Sequence, residues 1–558
     1  MQELNYYKKF VFLVAVIVFL FSSQYIYAQN IGDEVSFNVD GNFDVLGRQK
    51  ISAKLVDISN KIYFYIEKLW WDSQSQVKKD EILNNLNDLS YEFENRIYPQ
   101  LTSFFGSEKI PGIDGDNRIT VLFHPMKGND GGYFREADEY EKIQISNSNQ
   151  REMVYLSMDS LTPEKMNIVL AHEFVHLQTF NQKNVIFGVQ EETWLNEARA
   201  EYASTILGYN DPFNSSNLQS RMRDFAESSS NSITEWKDTK YDYASVSMLT
   251  HYVVDHYGIN ILSDSLKSKY SGIDSINYAL EKSGKIERFA GIFTDWTTAS
   301  FLNDCSLGSK YCYLNKDLSN LKIAPSLNFL PVSGNASLSV ISTLKNWAGA
   351  WLKFIGGNGD LKLDFSSSSG LNFAVPYVLE DKSGKQSVKF LNFDNTNRGI
   401  INVPNFGKDY KSLIIIPSLQ NKISSLNNND LAYPFNYSVS VGGELPDQDQ
   451  ILIQQLLAQI ESLKQQIAQL QGNSSQTSCS SFNSNLYFGL ANNESVKCLQ
   501  TFLKNQGVSI YPEGLVTGNF GSLTKSAVIK FQAKYGISQT GFAGPITRTK
   551  INQIINGR

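Results

Sequence analysis

Residues 167–180 read NIVLAHEFVHLQTF and contain His172-Glu173-Phe174-Val175-His176. On a helix, residues four apart share a face, so both imidazoles reach one Zn²⁺ while Glu173 stands beside the open coordination position. Zinc draws the pKa of a bound water toward 7, and a neighbouring carboxylate takes that proton as the water attacks a polarised amide carbonyl. Five residues alone also fit a helix with two incidental histidines. A catalytic zinc needs a third protein ligand, however, and Glu197 stands twenty-one residues after His176, in TWLNEARAEYAS (193–204). A second helix carrying Trp194, Leu195, Ala198 and Tyr202 is expected to pack on the first and aim Glu197 at the metal.

This His₂Glu set resembles the gluzincins, the thermolysin-like zinc metallopeptidases, whose second helix carries the Asn-Glu pair seen here as Asn196-Glu197. The resemblance implies that Glu201, one turn on, hydrogen-bonds His172 and fixes its tautomer, although the thermolysin-like motif usually has Asp there. A metzincin would need Gly at 179 and His at 182, where this chain has Thr179 and Gln182. The order PGIDGDNRITVLF, GGYF, MVYLSM, AHEFVH, WLNEARAEY, YASVSMLTHYVVDHYG and FTDWTTASFLND is similar to the hyicolysin-type branch of secreted bacterial metallopeptidases. That similarity covers residues 60 to 305 and implies an α+β zincin-like catalytic domain. It further implies a protein or peptide substrate added as an antiparallel strand beside residues 153–158. An oxyanion stabiliser is expected from the downstream helices. Tyr243 is the first candidate and His251 its rival, while Tyr241, Tyr243, Tyr252 and Tyr257 also fit as ordinary core and surface aromatics.

Elsewhere the chemistry is sparser. Asp114, Asp116 and Asn117 offer the clustered oxygens that Ca²⁺ takes, and equally an Asp/Gly/Asn turn. His124 and His256 are expected to be structural. Lys8 and Lys9 precede an apolar run over residues 10–21 and a polar stretch ending in Ala28, the pattern of an export signal over 1–28. Twelve apolar residues fall short of the roughly 20 that span a bilayer, though Tyr25–Tyr27 leave an uncleaved anchor open. Export to an oxidising compartment favours pairing Cys305 with Cys312 and Cys479 with Cys498, among three connectivities.

Downstream the texture changes. Residues 29–320 form the expected catalytic domain, with a strand-like pattern over 31–67, a helix over 79–105 and mainly helical signals from 162 onward. Residues 321–445 hold short alternating runs such as LKLDF, GIINV, SLIIIP and NYSVSV, predicting an all-β sandwich. In 447–472, Ile453, Leu456, Ile460, Leu463, Ile467 and Leu470 recur at heptad spacing. That short segment fits a coiled coil joining a homodimer or a helical spacer. Residues 479–558 give three short helical segments, VKCLQTFLKNQG, GNFGSLTKSAVIKFQAKYGI with Thr524 as N-cap, and TGFAGPITRTKIN with Pro545 at a helix start. These resemble the peptidoglycan-binding domain of bacterial cell-wall enzymes. No internal repeat is visible.

Composition bounds the partners. The chain has 558 residues, 42% hydrophobic and 19% charged, enough to bury several cores. Lys+Arg 50 against Asp+Glu 56 gives −6, which argues against a nucleic-acid binder. From residue 473 onward eight basic residues face two acidic ones, so that segment is +6 and the remainder −12. A basic tail suits anionic wall polymers. The sequence therefore predicts an exported, wall-associated bacterial zinc metalloendopeptidase. Two alternatives remain open: a hydrolase of peptidoglycan stem-peptide or cross-link amides, and a non-catalytic wall-bound adhesin.

Overall fold

The computed structural model describes residues 29–128, 131–332, 336–421, 432–442, 481–488, 490, 493–512 and 514–555. The export segment 1–28, the heptad segment 447–472 and Cys479 lie outside them. The described chain mixes helix with several sheets and divides into two compact units, Met1–Gln450 and Ile451–Arg558.

The first unit begins with a six-stranded sheet. Its strands are β1 (Glu34–Asn38), β2 (Lys50–Ile58), β3 (Ile62–Glu67), β4 (Ile119–His124), β5 (Gly132–Phe134) and β6 (Met153–Ser157), in the order β1-β2-β3-β4-β6-β5. β2 and β3 pair antiparallel, β3, β4 and β6 run parallel, and β5 returns antiparallel at the end of the sheet. β3, β4 and β6 are buried throughout, which is why IYFYI, ITVLF and MVYLS are continuous apolar runs rather than alternating ones. Phe64, Val121, Phe123, Val154 and Leu156 face the helices, while Tyr65, Leu122 and Tyr155 pack in the cluster on the other side.

Parallel pairing of β3 with β4 needs a crossover, and helices supply it. After α1 (Lys68–Ser73), α2 (Gln76–Glu92) passes through a π-helical turn, Phe93–Ile97, into α3 (Tyr98–Phe105). Ile82, Leu86, Leu89, Phe93, Ile97, Leu101 and Phe105 make one buried stripe along it. Beyond β6 come α4 (Pro163–Phe180), α5 (Thr193–Ile206), α6 (Asn217–Glu227), α7 (Lys240–Tyr257), α8 (Asn260–Leu266), α9 (Gly272–Lys282) and α10 (Phe289–Leu302). Pro163 occupies the first turn of α4, where its missing N–H costs nothing, and Thr239 with Asp242 form a capping box on α7. Cys305 and Cys312 form a disulfide. Cys498 is also disulfide-bonded.

The strand pairing corrects one expectation. Residues 153–157 do not offer a free edge for substrate, because β6 is hydrogen-bonded to β4 on one side and β5 on the other. The terminal strand is β5.

Residues 326–442 supply β7 (Ser326–Leu330), β8 (Ala336–Leu344), β9 (Leu352–Gly356), β10 (Gly359–Ser367), β11 (Phe373–Ala374), β12 (Pro376–Asp381), β13 (Gln386–Phe390), β14 (Arg398–Phe406), β15 (Tyr410–Ile415), β16 (Ser418–Leu419) and β17 (Tyr433–Gly442). Strands β7-β9-β15-β12-β13 form one half-sheet and β14-β10-β17-β8 the other, joined where Phe406 pairs with Tyr410. Leu361, Leu363, Phe365, Ile401, Leu413, Ile415, Phe435 and Val439 share the core of the β-region. The neighbours of these residues explain the unbroken SLIIIP run. Leu413 and Ile415 point into the β-core, whereas Ile414 and Ile416, with Val378, join the core of the helical lobe. Trp347 and Trp351 sit in that helical core beside Phe289, Phe293 and Trp296. The boundary expected at residue 320 thus runs through continuous packing.

The second unit contains α11 (Glu494–Asn505), α12 (Ser522–Lys534) and α13 (Pro545–Ile555) around Val496, Leu499, Leu503, Phe520, Val528, Phe531 and Ile551. Gly521, not Thr524, caps α12; Thr524 is buried and its Oγ1 accepts from Gln500 Nε2 at 2.9 Å. The structure also uncovers a repeat that the sequence reading missed. Gln500 Oε1 accepts from Thr517 and Gly518 N–H while its Nε2 donates to Asn519 O and Thr524 Oγ1. Gln532 does the same toward Gly541 N–H, Phe542 O and Thr547 Oγ1. Each glutamine clasps one Thr-Gly-x-x-Gly-x-x-Thr turn, 517–524 or 540–547.

Trp351 is 4% exposed and its Nε1 donates to Thr297 O at 2.9 Å across the junction between helices and strands. Trp351→Ala is expected to destabilise the first unit by about 3–5 kcal/mol. Chemical denaturation followed by intrinsic fluorescence checks this; helices and strands should be lost in one transition, not two.

Candidate metal centre

Three residues from two helices converge. His172 and His176 lie one turn apart on α4, and Glu197 comes from α5. Glu197 Oε2 is 3.2 Å from His172 Nε2, and Glu197 Oε1 is 3.6 Å from His176 Nε2. One donor atom from each residue fits within 4.8 Å of the others, the only such group of His, Cys, Asp or Glu among the described residues. The expected division of labour on α5 is partly revised. Ala200, Tyr202 and Ala203 pack against Leu170, Ala171, Phe174 and Val175 of α4. Trp194, Leu195 and Ala198 instead anchor α5 in the opposite, helical-lobe core.

Two imidazoles and one carboxylate are the donor set of a catalytic zinc site. Glu197 Oε2 is buried and receives no hydrogen bond of acceptable geometry, so it is the oxygen a cation would satisfy. The residues present therefore fit Zn²⁺. The surrounding charge points the same way. Burial opposes protonation of His172, yet the Glu197 carboxylate 3.2 Å away, with the charges of Glu173 and Glu201, pushes its pKa up to about 9. His176 is held down by burial, against the pull of Glu197 and of Asn196 beside it. Glu173 is buried at 5% exposure, and desolvation raises its carboxyl to about 8.

β5 lies over this helix. A Cβ at Gly132 would meet Tyr155 O at 2.6 Å, Val169 Cγ1 at 2.8 Å and Glu173 Cγ at 3.2 Å, so only glycine lets the strand come so close. Two residues on, Phe134 stacks on His176 with ring centroids 6.4 Å apart. Two glycines in GGYF thus bring a strand edge to the motif helix.

Glu201 Oε1 is 3.7 Å from His172 Nδ1, an electrostatic contact rather than the hydrogen bond the resemblance implied. What fixes Glu201 is Arg221, which sequence reasoning missed. Arg221 Nε donates to Glu201 Oε2 at 2.7 Å and its Nη2 to Oε1 at 2.9 Å, while Asn217 Nδ2 donates to Oε2 at 3.1 Å. Burial raises the Glu201 pKa, and the Arg221 guanidinium more than offsets it, so the carboxylate stays ionised behind His172. Arg221 and Asn217 sit on α6, and no spacing rule links them to the motif.

Tyr243 is half-buried on α7 beneath the Arg221 guanidinium, 4.9 Å from the ring centroid, and its hydroxyl donates to Asp238 Oδ1 at 2.7 Å. Burial, with the charges of Glu197 and Asp238, raises its pKa strongly. His251 lies apart from the metal ligands, against Tyr202 and 3.3 Å from Thr205 Oγ1. The turn considered for Ca²⁺ is otherwise engaged: Asp116 Oδ2 accepts from Tyr63 Oη at 2.7 Å, and Asp114 Oδ1 accepts from Asp116 N–H at 2.9 Å. His124 is buried against Asp44 and Tyr133, and His256 Nε2 lies 3.0 Å from Cys312 O.

Residues 492–551 match the family described as "Putative peptidoglycan binding domain". The chain thus carries a C-terminal peptidoglycan-binding domain, which points to cell-wall association. No curated protein sequence matches the chain. Among solved structures, the pre-peptidase C-terminal domain of collagenase from Bacillus anthracis is 13% identical, with 21% of this chain and 96% of that one covered and a TM-score of 0.15. PliG of Aeromonas hydrophila, a periplasmic inhibitor of g-type lysozyme, is 12% identical over 21% of this chain and 98% of its own, with a TM-score of 0.14. Likenesses at that level carry no argument. No helix among the described residues is long and apolar enough to cross a membrane.

Two variants test the electrostatics. Arg221→Ala leaves the Glu201 charge buried without its partner and is expected to cost about 3–5 kcal/mol, read from thermal or denaturant unfolding. His251 is held neutral, burial lowering its pKa from 6.5 to about 4. Its stabilising contribution is therefore complete above pH 6.5 and lost as pH falls toward 4, about 3 kcal/mol over the interval. His251→Gln should flatten the stability profile in that window by one proton.

Proposed function

We propose that the first unit is a zinc metalloendopeptidase of the gluzincin type, exported and held at the cell wall by the C-terminal domain. The observation that carries the reading is the convergence of His172 Nε2, His176 Nε2 and the Glu197 carboxylate, with the buried Glu173 one residue from the first ligand. Zn²⁺ bound there supplies Lewis acidity toward a water and toward the scissile carbonyl.

The chain's own residues do the rest. Glu173, buried beside the first ligand, accepts the proton of the attacking water and returns it to the leaving amine nitrogen. Arg221 keeps Glu201 ionised and aimed at His172 Nδ1, which orients the imidazole so that Nε2 faces Glu197. Terminal strand β5 offers main-chain groups along its outer edge, and pairing there gives affinity with loose side-chain preference. Tyr243, stacked beneath the Arg221 that holds Glu201, is the better placed oxyanion donor, after its hydroxyl leaves Asp238. His251 is packed against Tyr202 and Thr205 and serves the fold.

The peptidoglycan-binding domain favours a second substrate class for the same site, the stem-peptide or cross-link amides of the wall. Parallel digestion of casein and purified sacculi separates the two. Glu173→Gln is expected to keep about one zinc per chain while hydrolysis falls by about 10²-fold or more. Hydrolysis at the wild-type rate would remove Glu173 from the role of base.

A further inference from the structure

The second unit leaves several large apolar side chains in solvent, and three of them are aromatic neighbours. Tyr487 is 50% exposed, Phe488 59% and Phe542 38%. Exposed aromatics grouped on a small domain mark an interaction surface more often than scattered single residues do. Their grouping is built. Leu486 and Ala543 exchange main-chain hydrogen bonds, Ala543 N–H to Leu486 O at 2.9 Å and Leu486 N–H to Ala543 O at 3.4 Å, and both residues are buried. That bridge ties the segment carrying Tyr487 and Phe488 to the turn carrying Phe542. The Tyr487 and Phe542 rings lie 6.4 Å apart.

A cation is set into the same face. Lys525 Nζ stands 5.8 Å from the Phe488 ring centroid, and its stem lies across Gly541. A Cβ at Gly541 would come within 2.7 Å of Lys525 Cγ, and the residue's φ of +69° also favours glycine. The repeat shows that the aromatic at 542 is not needed to build the turn. Asn519 holds the equivalent place in the first Thr-Gly-x-x-Gly-x-x-Thr turn, and both turns close on their glutamines alike. Phe542 is therefore a departure between the copies that adds surface.

We propose that Tyr487, Phe488, Phe542 and Lys525 form the face of this domain that contacts peptidoglycan, the rings stacking on the amino-sugar rings of the glycan and Lys525 pairing with a stem-peptide carboxylate. The proposal rests on the peptidoglycan-binding reading of residues 492–551, which contain Lys525 and Phe542, with Tyr487 and Phe488 on the segment just before them. Sugar rings present C–H faces that lie flat on aromatic rings, and stem peptides carry the carboxylates that a cation beside those rings would meet. The excess of eight basic over two acidic residues beyond residue 473 favours an anionic partner.

The test is co-sedimentation of the full chain with purified sacculi, in a Glu173→Gln background so that the wall is not cut. Sacculi are used before and after acid extraction of their anionic polymers. The expected result is binding to both, weakened by about ten-fold or more in Tyr487→Ala/Phe542→Ala. Lys525→Gln should bind more weakly and with less dependence on salt. Val508→Ala, exposed in another turn, should bind as the parent does. Equal binding by parent, double variant and Lys525→Gln would overturn the assignment of this face while leaving peptidoglycan binding intact. Binding that disappears on extraction would overturn it in favour of the anionic polymers. A parent protein that binds neither preparation would overturn the peptidoglycan reading itself.

Discussion

Everything at the candidate centre depends on how charge is balanced in the seam between α4 and α5. Glu173, His176 and Glu201 are buried beside the partly exposed His172 and Glu197, and burying ionised groups costs several kcal/mol each unless they are paired. Arg221 meets that cost for Glu201 with two short hydrogen bonds. His172, drawn toward protonation, meets part of it for Glu197, and one Glu197 oxygen remains without a donor. A divalent cation is the species that completes such a balance, because it satisfies both imidazoles and the carboxylate together.

The surrounding architecture packs that seam from several sides. α4 is packed between the sheet and α5, β5 rests on it through Gly132, and α5 is anchored at its start by Trp194 and Leu195 in the second core. That second core continues into the β-region through Trp347, Trp351, Ile414 and Ile416. The strands after residue 326 therefore complete the hydrophobic packing behind the site. The peptidoglycan-binding domain points to cell-wall association, and its own core closes without the exposed aromatics at 487, 488 and 542.

Legibility followed chemistry and period. The convergence of His172, His176 and Glu197 was legible because two histidines at helical spacing and a later carboxylate are particular donor types, and the stripe from Ile82 to Phe105 because a 3.6-residue period is strong over more than six turns. Three things were not. Arg221 lies on a third helix, and a tertiary ion pair leaves no local pattern. The edge position of β5 was hidden because three residues carry almost no periodicity, and a continuous apolar run such as MVYLS does not say which neighbours cover it. The repeat in the C-terminal domain escaped notice because its two copies share a glutamine, two threonines and two glycines across unequal spacers, 24 residues from Gln500 to Thr524 and 15 from Gln532 to Thr547.

On the reading proposed above, the α4–α5 seam is a catalytic metal centre. Its most direct test is the metal content of the full chain purified without added metal, measured alongside casein cleavage with and without a chelator. A catalytic zinc there requires about one zinc per chain and cleavage that stops on chelation and returns with Zn²⁺. A protein that holds no metal after incubation with Zn²⁺, with His172 still paired to Glu197, would contradict it.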